Sequence, residues 1–230
     1  MLVQIYETQD ASEARALEAA GVDHIGVLVG RGRYAREIRP PQARRIFDAI
    51  TRARKVALSL ADDLEAVMEV VAETVPDILH HGTVPEALGP DAVLTLKSRF
   101  PAPQLMRTIP VIDEQSLLLA KQYDGLVDYL LLDTYQSGDT QVRATGAPHD
   151  WDLSRRIVGS VRTPVILAGG LGPTNVAEAI RTVGPAGVDS KTHTDRDGGP
   201  LKDIEQVRAF VRIAKSSIDC GSPPERSGRS

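Results

Sequence analysis

"VILAGGLGPTNVAEAI", residues 165–180, decides how the rest of the chain is read. Four apolar residues run into Gly169 and Gly170. A helical pattern follows, with Pro173 at a permitted first helical position and Gly184 just past the end. A strand turning directly into a helix is half of a β/α unit. Two glycines at that turn leave backbone N–H groups bare at a helix mouth, where unpaired amides and the helix dipole favour an anion. On this stretch alone, a tight turn using glycine only for its torsional freedom explains the pair as well.

The same alternation extends in both directions. Short apolar runs stand at 2–6, 24–29, 55–60, 77–81, 104–109, 128–133, 164–168 and 186–189. Between them lie stretches of helical periodicity. The first opens on "DASE", where Asp10 and Glu13 have the spacing of a capping box, and Gly21 stops it. Others cover 41–52, 62–73, 90–99, 113–123, 150–159, 173–183 and 203–215. In the last, Ile204, Val207, Val211 and Ala214 recur at helical spacing. "AVLTLKS" at 92–98 can also be read as a strand. Eight strands alternating with eight helices over about 215 residues predict a (β/α)8 TIM barrel, with an open doubly wound sheet as the competitor. Barrels of this kind often form a phosphate site from the loops after strands seven and eight, which favours the anion reading of Gly169 and Gly170.

Composition bounds the remainder. The chain has 230 residues, 42% hydrophobic and 25% charged, enough for one sizeable core. We read residues 1–216 as the barrel and 217–230, rich in Ser, Gly, Pro and Arg, as a disordered tail. A net charge of −4 gives no pull towards nucleic acid or an anionic membrane. One cysteine, Cys220, precludes a disulfide framework and suits a reducing cytoplasm. No signal peptide or apolar span of roughly 18 residues is seen. The expectation is a cytoplasmic monomer or homodimer.

Several stretches resemble the phosphoribosylanthranilate isomerase family of tryptophan biosynthesis. "GVDHIGVLV" with "PPQARRI" looks like its second strand and helix, and "LHHG" resembles its Leu-His-Gly at strand four. "LLDT…TGAPHDW" is similar to its Leu-Leu-Asp-Thr and Phe-Asp-Trp. "LAGGLGPTNVAEAI" is close to its Gly-Gly-Leu-x-Pro-x-Asn-Val, and "GVDS…GGPLKD" echoes its final phosphate loop. The likeness covers residues 2 to 215 and implies a barrel of the ribulose-phosphate-binding type. It implies an Amadori rearrangement: an aminoaldose ring opens and the carbonyl moves to give an aminoketose. The small-molecule substrate is a phosphorylated sugar derivative, and no cofactor is implied.

That chemistry needs an acid for the ring oxygen and a base for the C2 proton. By resemblance Asp133 is the acid, the alternative being an aspartate that caps its loop. For the base, the family has Lys-Ile-Cys-Gly where this chain has Gln4-Ile5-Tyr6-Glu7. Tyr6 thus takes the cysteine position, and a phenol near pKa ~10 is a poor base. Glu7 would face elsewhere if the strand continued regularly. His81 is the third candidate, and the choice stays open. Arg36 matches the arginine that meets the anthranilate carboxylate, among neighbours Arg31, Arg33 and Arg39 on a loop that is otherwise a solvated basic segment. Arg107 stands near a family lysine. Asp189, Lys191 and Thr192 are expected at the substrate, although His193 replaces the family's glycine there.

A metal reading of His80, His81, His149 and His193 with Asp133 fails, because the spacing matches no zinc pattern and adjacent strand residues face opposite ways. No metal site is expected. Trp151 reads as a packing residue. Three functions follow from these residues: a working isomerase, a paralogue acting on another phosphosugar (isomerase, epimerase or lyase), or a non-catalytic barrel binding a phosphometabolite.

Overall fold

A computed structural model describes residues 1–134, 150–197 and 199–217. Its elements alternate throughout: β1 Leu2–Ile5, α1 Ala11–Ala19, β2 His24–Leu28, α2 Pro40–Phe47, β3 Arg54–Ser59, α3 Leu64–Thr74, β4 Ile78–His81, α4 Pro90–Arg99, β5 Gln104–Val111, α5 Glu114–Tyr123, β6 Tyr129–Thr134, α6 Trp151–Val158, β7 Val165–Leu167, α7 Val176–Val183, β8 Gly187–Ser190 and α8 Ile204–Ser216. All strands are parallel, and β8 pairs with β1 to close the barrel in the order of the sequence. His149, Cys220 and the tail beyond residue 217 lie outside the described residues. Among the described residues no helix is long and apolar enough to cross a membrane.

The helices begin where the sequence supplies a cap. Asp10, Asp63, Asp113, Asp150 and Asp203 each accept hydrogen bonds from the first-turn amides of α1, α3, α5, α6 and α8. Pro40 and Pro90 open α2 and α4, where a missing N–H costs nothing. "AVLTLKS" is therefore helix, part of α4. Two local readings need correction. Glu13 does not close a capping box on Asp10; its carboxylate accepts instead from the N–H groups of Gln9 and Lys202. Pro173 lies in a turn, and α7 starts three residues later at Val176.

The alternation of strand side chains divides the core. One set fills the layer between sheet and helices, from Val3 and Ile5 to Phe210 and Val211. The other fills the barrel axis with Tyr6, Val56, Ile78, Met106, Leu131, Ile166 and Ala168. Gly26 is part of this inner fit: a Cβ there would stand 2.2 Å from the Tyr6 ring.

The N-terminal rim carries a repeated device. Asp23, Asp77 and Asp128 stand just before β2, β4 and β6. Each accepts, through its carboxylate, the N–H of a residue on the preceding strand: Val3 at 2.9 Å, Lys55 at 2.9 Å and Leu105 at 2.8 Å. These bonds tie odd strands to even ones at the end where barrels keep stability rather than chemistry.

Candidate active site

The C-terminal strand ends open onto a cavity of about 440 Å³ whose lining includes Tyr6, Glu7, Arg33, Leu58, His80, Thr108, Asp133, Asp189 and Lys191. Asp133 stands one residue before the end of β6, on the inward-facing register. Its Oδ1 accepts the N–H of Thr134 at 2.7 Å. Burial pushes its pKa up to about 7, although the Thr134 amide and Lys191 pull it down. Asp189, inward-facing on β8, accepts from Gln4 Nε2 at 3.2 Å. Burial and then the charge of Asp133 raise its pKa to about 8. The two carboxyls share one cavity and hold their protons near neutrality.

Tyr6 also faces inward but is not free. Its hydroxyl lies 2.5 Å from His80 Nδ1, and His80 Nε2 lies 2.6 Å from Thr108 Oγ1. In either tautomer the phenol and both ring nitrogens are committed to one another. Burial, then Asp189 and Asp133, raise the Tyr6 pKa well above its ordinary value. Burial and the charge of Arg107 lower that of His80 to about 3.

Glu7 does reach the cavity, because β1 stops at Ile5 and the chain turns. Glu7 has φ +64°, an uncommon conformation for a residue with a side chain. Its Oε1 lies 2.7 Å from Lys191 Nζ and its Oε2 lies 3.5 Å from Arg36 Nη1. Arg36 is fixed further by Asp195 at 2.7 Å and by the Gly199 carbonyl at 3.1 Å. Lys202 is fully buried and donates to Asp195 at 2.6 Å and to the Lys191 carbonyl at 3.0 Å. Arg31 turns away to pair with Glu69 on α3.

Two candidates are misplaced for chemistry. Arg107 is fully buried on β5, donates to the carbonyls of His81 and Thr83, and lies over the Tyr123 ring of α5. Met106 and Thr108, its neighbours in sequence, take the inward positions, so Arg107 belongs to the layer between sheet and helices. His81 is corrected for the same reason. His80 takes the barrel side, and both His81 ring nitrogens are buried without a hydrogen-bond partner among the described residues. Sequence reasoning named His81 and passed over His80 as a site residue; the parity of the strand showed that one of them faces inward, and only the register shows which.

The turn after β7 forms the other half of the site. Gly169 and Gly170 have φ +82° and +67°, a path open to glycine. Asn175 braces the loop, accepting from the Gly172 N–H and donating to the Gly170 carbonyl, both at 2.9 Å. The N–H groups of Gly169, Gly170 and Leu171 have no hydrogen-bond partner among the described residues. They line a crevice with Asp133, Asp189, Lys191 and Thr192. Thr192 opens a three-residue 3-10 turn, Thr192–Thr194.

The family described as N-(5'-phosphoribosyl)anthranilate (PRA) isomerase matches residues 8–213. The N-(5'-phosphoribosyl)anthranilate isomerase of Haloferax volcanii is 36% identical, over 94% of this chain and 93% of its own. That of Methanocella arvoryzae is 36% identical over 93% and 99%. The solved structure of the Pyrococcus furiosus protein of that name superposes with a TM-score of 0.76 at 28% identity, covering 94% of this chain and 99% of that one.

Proposed function

The chain belongs to the phosphoribosylanthranilate isomerase family, and we propose that it is a working isomerase of N-(5'-phosphoribosyl)anthranilate, with Asp133 as its general acid. The observation that carries this reading is a buried carboxyl, protonated near neutrality, beside a turn whose amides lack partners. The phosphate sits on the Gly169 and Gly170 amides with Thr192 and Lys191 at its edge. The aromatic carboxylate meets the Arg36 guanidinium, whose planar fork suits it. Asp133 gives its proton to the ring oxygen as the C1–O bond breaks and the nitrogen lone pair forms the C1=N bond. Asp189, also protonated, donates to a sugar hydroxyl.

Purified protein supplied with N-(5'-phosphoribosyl)anthranilate is expected to consume it with saturable kinetics. Inorganic phosphate is expected to inhibit competitively through the Gly169–Gly170 crevice. A silent enzyme that still binds phosphate would favour the paralogue reading, for which the locked Tyr6–His80 pair at the cysteine position is the specific support.

A further inference from the structure

Glu7 has no ordinary reason to be a glutamate. A left-handed backbone is strained for a residue with a Cβ, and glycine would remove the strain. Its carboxylate is nevertheless brought into the cavity with only 8% of the side chain exposed. There its two oxygens are divided between two cations, Lys191 and Arg36.

Those cations are the ones an anionic substrate needs, on the reading proposed above. Arg36 is posted independently of Glu7, on Asp195 and the Gly199 carbonyl, and the backbone of Lys191 is held by Lys202. Removing Glu7 would therefore leave the Arg36 guanidinium and the Lys191 backbone in place and free the Lys191 ammonium for an anion. The other inward groups are spoken for: Tyr6 and His80 hold each other, and Asp189 is bound by Gln4.

We propose that Glu7 is the proton acceptor for C2, and that the substrate itself releases it. In the free protein its carboxylate fills the place of the two substrate anions. When the aromatic carboxylate takes Arg36 and the phosphate takes Lys191, Glu7 loses both partners and turns to the sugar. The C2–H bond then breaks and its proton moves to a Glu7 oxygen. The C–H electron pair becomes the C1=C2 bond, and the C1=N pair returns to nitrogen. The resulting enolamine gains a proton at C1 and loses one from the C2 hydroxyl, giving the ketone with no oxidant or reductant.

The inference rests on the isomerase reading and is tested by two quantities that move in opposite directions. In Glu7→Gln, turnover of N-(5'-phosphoribosyl)anthranilate is expected to fall at least 100-fold. Binding of inorganic phosphate and of anthranilate, measured calorimetrically without turnover, is expected to tighten at least threefold because their competitor is gone. Glu7→Gly also removes the carboxylate and relieves the strained φ. It is expected to melt higher than wild type and to show the same pair of changes, which separates chemistry from misfolding. Turnover within tenfold of wild type in either variant overturns Glu7 as acceptor. Weaker or unchanged anion binding in both overturns the release. A wild type that is itself silent strikes the reaction reading and the acceptor with it, and the wild-type control identifies that case.

Discussion

Asp128 and Asp133 stand at opposite ends of one strand and do opposite things. At the N-terminal rim, Asp128 spends its carboxylate on the Leu105 amide and lies near Lys97. Asp23 and Asp77 repeat the arrangement. These groups are part exposed, with 34–41% of each side chain open to solvent. At the C-terminal rim, among the described residues, Asp133 accepts from the Thr134 amide and Asp189 from the Gln4 side chain, and burial rather than pairing dominates both. The chemistry of a carboxyl is set here by which end of the strand it occupies. One rim pairs its acids with backbone amides; the other buries them, and their pKa values rise, as the proposed chemistry requires.

The largest expected effect breaks the reactive rim. Asp133→Asn is expected to lower kcat by roughly 100- to 10,000-fold, the range for a lost general acid. Calorimetric affinity for a product analogue is expected to change by less than about threefold; an equal loss of both would make Asp133 a binding group. In the wild type, kcat/KM is expected to fall as pH rises through about 7, where Asp133 gives up its proton.

Next comes the stability the reactive rim gives up. The folded pKa of Asp133 and of Asp189 is raised above the ordinary carboxylate value of 3.8, so the folded state binds these protons more tightly than the unfolded chain. Stability is therefore full below about pH 4 and declines as pH rises towards 7 or 8, by up to about 1.4 kcal/mol per pH unit for each group. Asp189→Asn is expected to raise Tm at pH 8 and leave it nearly unchanged at pH 4. A drop at pH 8 would mean that the charged form is welcome there.

Smaller effects sharpen the contrast. Gly170→Ala forces a side chain onto φ +67° and is expected to cost about 1–2 kcal/mol in thermal unfolding while weakening phosphate binding. Asp77→Ala is expected to cost about 1 kcal/mol through loss of the part-buried bond from the Lys55 N–H, with kcat and KM unchanged. A kinetic effect of Asp77→Ala would erase the division between the rims.

The alternation of elements was legible because each strand and helix is written in its own few residues, with aspartate caps at their boundaries. The glycine turn was legible as well, since Gly169 and Gly170 have little use other than a positive φ or a close approach. What escaped depends on three-dimensional parity. His80 against His81 and Met106 against Arg107 are each decided by strand register, which no local pattern encodes. Glu7 was named as a base candidate, but its reach into the cavity was not legible, because one backbone torsion after β1 reverses its direction. The Val-Asp, Pro-Asp and Val-Asp pairs before β2, β4 and β6 were visible at 22–23, 76–77 and 127–128. Their recurrence at alternate strands was a signal that could have found the lower rim.

Asn175 clamps its turn from within, so the crevice proposed to seat an anion is braced by the turn's own hydrogen bonds. A seat that needs nothing from the opposite wall leaves that wall open to revision. On the proposed reading, the handle of a substrate is gripped at the β7 turn while β1 presents Tyr6 and Glu7 on the other side. Such independence makes a change of chemistry near Tyr6 and Glu7 survivable without rebuilding the grip.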